Sequence, residues 1–143
     1  MRVTARSAIL IGLASLCLYA DAEKDVNDLF SSLTASLVEL NVPGFMDAFD
    51  KNMPDYERLK TYVEALVNQA DVASSIEPVA NEGNDTKRSV DLDWLLEVRS
   101  LLQDGPIVRR REVIHCEVEK QGKRWKIVSL KPIDFFAPAN LTQ

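Results

Sequence analysis

A chain of 143 residues holds one domain around one core. Its net charge of −5 gives no electrostatic footing for nucleic acid or an anionic membrane surface, and an apolar content of 46% excludes a disordered chain. In chain order, Arg2 and Arg6 precede an uncharged, mostly apolar run from Ala8 to Ala20, and Ala20-Asp21-Ala22 puts small residues at the two positions a signal peptidase reads. The pattern predicts export, to the periplasm or the extracellular space, with residues 1–22 removed before Glu23. The run is shorter than the about 20 apolar residues of a membrane anchor, and Leu16 before Cys17 lacks the small residue of a lipoprotein signal. The mature chain, residues 23–143, is then expected to have no membrane association and a single cysteine, Cys116. One cysteine forms no internal disulfide, and its apolar strand context makes Cys116 an inert core residue.

Val26, Leu29, Phe30, Leu33, Leu37 and Leu40 recur at helical spacing, which predicts a helix over residues 25–41. Pro43 opens a short second helix with Phe45, Met46 and Phe49 on one face. Pro54 opens a third, whose buried stripe is Tyr56, Leu59, Val63, Leu66, Val67 and Ala70. From Asp71 the period changes to alternation. Residues 72–79 read as a strand, with Pro78 marking an edge or a bulge. A second strand alternates Val90, Leu92, Trp94, Leu96 and Val98 against Asp91, Asp93, Leu95 and Glu97. Residues 108–119 form a third strand and residues 124–136 a fourth.

Turn chemistry suggests a register. A turn at Gln121-Gly122 sets Glu119 against Arg124, Val118 against Trp125, Cys116 against Ile127, Val113 against Leu130, Glu112 against Lys131 and Arg109 against Asp134. A loop at Gln103-Asp104-Gly105, with Gly105 left-handed, sets Val90 against Val118, Leu92 against Cys116, Trp94 against Ile114 and Glu97 against Arg111. His115 then lies across from Asp93 on the face opposite the apolar one.

Three helices followed by a meandering antiparallel sheet resemble the nuclear transport factor 2-like (cystatin-like cone, SnoaL-like) superfamily. The segments carrying the resemblance are Pro43-Gly44-Phe45-Met46-Asp47-Ala48-Phe49 and Gly122 to Val128. The resemblance implies an α+β fold with three N-terminal helices packed on a curved, mainly antiparallel, cone-shaped sheet, and a pocket inside the cone. Members resembling ketosteroid isomerases or polyketide cyclases place a carboxylate base there, and those resembling scytalone dehydratase a His and an Asp. This sequence departs from both patterns, since His115 lies outside the cone and no Tyr sits on the inner strand face.

Three function classes stay open. The first is an exported pocket protein that binds a small molecule or peptide without catalysis. The second is an isomerase, cyclase or dehydratase using Glu112 as base. The third is an interaction module acting through its sheet. Arg110, Glu112 and Lys131 project on the face carrying Trp94 and are the candidate ligand-binding residues, with the Arg110 fork suited to a carboxylate or phosphate. Leu95, Val113, Val128 and Leu130 on the other face suggest a homodimer. Arg109-Arg110-Arg111 is split by strand alternation and is not read as a nucleic-acid patch. Asp91 and Asp93 have no further converging ligands to make a metal site, and no cofactor motif is present.

Overall fold

Ala22, Val26, Phe30, Leu33 and Leu37 recur every three or four residues and all are buried, so α1 (Thr4–Val38) lays a single stripe against the sheet. The computed structural model describes the backbone of residues 4–141 and the side chains of residues 21–141. Apart from Asp21 and Ala22, the side chains of the expected signal segment 1–22 lie outside the described residues. α1 stops at Leu40, which takes a left-handed φ of 58°. There the Leu40 N–H donates to Leu37 O and the Asn41 N–H to Ser36 O, at 3.1 and 2.8 Å. This closes the helix with the paired bonds usually built around glycine. Asn41 then caps α2 (Val42–Asp47) by accepting the Gly44 N–H at 3.0 Å. α3 (Tyr56–Gln69) buries Leu59, Val63 and Leu66, while Tyr56 and Val67 are partly covered.

The strands β1 (Ala70–Gly83), β2 (Lys87–Ser100), β3 (Ile107–Gln121) and β4 (Arg124–Lys131) pair antiparallel in the order β1-β2-β3-β4. Pro78 sits on an edge strand and beside a bulge at Val79, so both of its expected roles hold. Every inner side chain of β2 from Val90 to Val98 is completely buried.

The register departs from the sequence expectation in two ways. Between β2 and β3, Val90 faces Cys116 rather than Val118, Leu92 faces Ile114, Trp94 faces Glu112, and Glu97 faces Arg109 rather than Arg111. The slip is two residues, so every side chain keeps its face. Its cause is a longer connection: pairing ends at Arg99 and Ile107, and the left-handed residue is Asp104 (φ 59°), not Gly105.

Between β3 and β4 the turn is Gly122-Lys123. Gly122 (φ 66°) takes the first central position, where a primed turn demands positive φ. Val118 therefore faces Ile127 and Glu119 faces Lys126. A bulge at Val128 then shifts the register by one more residue and reverses the faces beyond it. Leu130, expected on the outer face, lies inside at 3% exposure, and Lys131 faces His115 instead of Glu112. β4 also ends at Lys131 rather than Phe136, because Pro132 has no N–H for the ladder. Ile133–Phe136 form a 3-10 turn that returns Ile133, Phe135 and Phe136 to the core. Asp134 accordingly meets Arg58 at 2.5 Å, not Arg109.

Candidate functional site

Inner strand positions and helix stripes meet in an aromatic cluster that fills the cone. Trp94 packs edge-to-face on Phe136 at 5.1 Å, Phe136 on Phe135 at 5.1 Å and on Phe45 at 5.6 Å, and Phe45 lies 5.3 Å from Phe49. Trp94 is wholly buried and donates its indole N–H to Ser74 Oγ at 2.7 Å. Of the residues expected to bind ligand, Trp94 is thus a core anchor.

Arg110 is half-buried. Its Nη1 donates to the carbonyls of Phe135 at 2.9 Å and Ala137 at 2.5 Å, which fastens the 3-10 turn to β3. Burial lowers its pKa, partly opposed by Glu112. Glu112 is exposed on β3, and Lys131 is exposed three residues away in register, opposite His115. The structure therefore brings Arg110 and Glu112 near each other and leaves Lys131 apart from them.

On the outer face His115 stands across from Asp91, not Asp93. Its Nδ1 lies 2.5 Å from Asp91 Oδ1 and its Nε2 lies 2.7 Å from Glu117 Oε1. These bonds, Asp91's first and Glu117's second, raise the His115 pKa. Glu117 also accepts the Ser89 hydroxyl, at 2.8 and 2.7 Å, and that bond is the main cause of its lowered pKa. Both ring nitrogens are occupied, which suits an imidazolium and leaves no lone pair for a substrate or a metal. Among the described residues no group of three or more His, Cys, Asp or Glu is arranged to hold a metal ion. Cys116 is buried, and desolvation pushes its thiol up, as an inert core cysteine requires.

An open groove of about 710 Å³ lies between α2, α3 and the β3–β4 hairpin. Val42, Pro43 and Met46 of α2, with Phe49 and Tyr56, supply its apolar surface, and Asp47, Asp50, Lys51, Lys60, Glu64, Gln121 and Lys126 its polar one. The segment after α2 is held to the sheet edge. The Ile127 N–H donates to Ala48 O at 2.8 Å and the Asp50 N–H to Ile127 O at 2.9 Å. Asp47 is bound by Arg124 at 2.5 Å and lies 3.7 Å from Lys126, whose Nζ also donates to the Asp47 carbonyl. The Arg124 bond is the main cause of its depressed pKa. Asp50 accepts the Asn52 N–H at 2.8 Å and the Gln121 amide at 2.7 Å, and its pKa is likewise lowered. Sequence reasoning missed this groove. The available signal was the density of cations in Lys120, Lys123, Arg124 and Lys126.

No protein-family model and no curated protein matches the chain. Solved structures do. A conserved protein from Planctomyces limnophilus superposes with a TM-score of 0.70 at 8% identity, covering 78% of this chain and 93% of its own. A protein of unknown function with a cystatin-like fold from Nostoc punctiforme gives 0.59 at 13%, covering 74% and 85%. A nuclear transport factor 2-like protein of unknown function from Shewanella oneidensis gives 0.57 at 11%, covering 75% and 94%. At these identities the likeness speaks for architecture, and it agrees with three helices laid on a curved four-stranded antiparallel sheet. The chain has the nuclear transport factor 2-like, cystatin-like cone fold.

Proposed function

We propose that the chain is an exported, non-catalytic binding protein whose ligand, a small molecule or peptide, sits in the groove between α2, α3 and the β3–β4 hairpin. One contrast supports this: the cone interior is packed with Trp94, Phe135, Phe136 and Phe45, while the neighbouring groove stays open at about 710 Å³. That volume lies in the range of small-molecule sites, and an apolar lining with a few polar groups is their usual composition. Native mass spectrometry of the mature protein from its own host tests the proposal. The expected result is a retained small mass, and backbone amides of Met46, Tyr56 and Lys60 that shift when it is removed. Conversion of that molecule into another mass would overturn the non-catalytic role, and shifts confined to other parts of the fold would overturn the groove.

We also propose that two copies pair through the outer sheet face. Val113 is 57% exposed there, with Leu95 half-buried on the neighbouring strand and the Arg111–Asp93 pair beside them. Light scattering on the mature protein should report a dimer; a monomer at high micromolar concentration would reject it.

A further inference from the structure

The groove's charges are unevenly satisfied. Asp47 and Asp50 are both held within the protein, by Arg124 with Lys126 and by the Asn52 N–H with Gln121. The side chains of Lys51 and Lys60, which also line the groove, have no ion pair or hydrogen bond among the described residues. Among the described residues Glu64 is the one groove carboxylate without a side-chain partner, and it sits one helical turn from Lys60. An exposed pair at that spacing is weak, so Glu64 can neutralise only one of the two lysines. The groove's lining carries three carboxylates, Asp47, Asp50 and Glu64, and three ammonium groups, Lys51, Lys60 and Lys126; with Asp47 paired to Arg124 and Lys126, the two ammonium groups left without a side-chain partner outnumber the one such carboxylate. A neutral apolar ligand would leave the Lys51 and Lys60 ammonium groups without a partner.

We infer that the groove binds an amphipathic carboxylate, its apolar body on Met46 and Phe49 and its anionic head between Lys51 and Lys60. This rests on the groove being the binding site. The apolar body accounts for the floor, and the head supplies the partner that the two ammonium groups lack among the described residues. An ammonium donates its hydrogens from any of several rotamers, so two flexible lysines can close on a single carboxylate.

The test uses three probes of equal chain length, decanoate, decanol and decyltrimethylammonium, titrated against the mature protein while the amides of Met46, Tyr56 and Lys60 are followed by NMR. Decanoate should bind about tenfold more tightly than decanol, which corresponds to about 1.4 kcal/mol, and decyltrimethylammonium more weakly than decanol. In the Lys51→Gln, Lys60→Gln double variant, decanoate should fall to within about twofold of decanol, with decanol binding unchanged. Equal affinity of decanoate and decanol for the wild type, with both shifting the groove amides, would overturn the carboxylate assignment and leave the groove standing. No shift of the groove amides by any of the three would overturn the groove itself. Retention of decanoate preference in the double variant would show that these lysines do not hold the head.

Discussion

Trp94→Ala tests the packing on which the functional reading depends. The side chain is wholly buried, touches Phe136 at 5.1 Å and Phe135 at 6.1 Å, and donates its indole N–H to Ser74. Removing a buried Trp ring typically costs about 3–5 kcal/mol through lost transfer energy and the cavity left behind. The edge-to-face contact with Phe136 contributes about 0.5–1.5 kcal/mol of stabilisation, largely within that range. The hydrogen bond adds little, since Ser74 is partly exposed and its hydroxyl can turn to water. A loss of about 4 kcal/mol is therefore expected, equivalent to a Tm lower by roughly 10–15 °C for a domain of this size. Urea denaturation followed by circular dichroism measures it, with Trp125 left as the fluorescence reporter. Added indole should recover part of the loss by occupying the cavity, through simple mass action on the folded state. Should the variant fail to fold, Trp94→Phe keeps the test at a cost of about 1–2 kcal/mol. A loss below about 1.5 kcal/mol for Trp94→Ala, or equal indole binding by wild type and variant, would refute a filled cone.

His115 makes stability depend on pH in a defined direction. Its pKa is raised in the folded state by Asp91 and then Glu117, so its contribution is whole below the ordinary His value and is lost as pH rises through the folded one. Glu117 is lowered, by Ser89 and then His115, so its contribution is present above the ordinary Glu value and is lost as pH falls through the depressed one. The cluster thus stabilises most between those ordinary values, about pH 4.3 to 6.5. Wild type should lose more stability than His115→Gln between about pH 6 and pH 9, by under about 1 kcal/mol because the groups are half exposed; parallel pH curves would contradict the clamp. Gly122→Ala and Gly83→Ala separate backbone strain from collision. A Cβ at Gly122 (φ 66°) meets nothing within 4 Å, so the change should cost about 1–2 kcal/mol in chemical denaturation. At Gly83 (φ 143°) a Cβ would lie 2.2 Å from Lys87 O, so the loss should be clearly larger; equal losses would refute that ordering. Arg110→Met should lower stability by about 1–3 kcal/mol, since it removes charge-assisted bonds to Phe135 and Ala137. Hydrogen exchange should quicken across residues 133–139, and unchanged exchange there would show that Arg110 does not fasten the turn.

The face of a side chain is a local property, and the sequence carried it well. The stripe of α1, the alternation of Val90 to Val98, and Pro78 as an edge and bulge residue were all legible from spacing alone. Register was not, because it depends on which residues adopt positive φ in the connections. Asp104 takes that conformation where residue type points to Gly105, and Gly122 leads a turn that the strand pattern puts one residue earlier. A slip of two left β2 and β3 with the right faces and the wrong neighbours, which moved His115 from Asp93 to Asp91. The bulge at Val128 then reversed Leu130 and Lys131 and separated Lys131 from Glu112, and no local pattern announces such an insertion. The groove was hidden for a related reason. Its walls come from α2, α3 and a hairpin more than fifty residues further along the chain. Only the tertiary fold, by sealing Phe49 to the β4 edge and filling the cone with aromatic rings, decided which concavity stayed open.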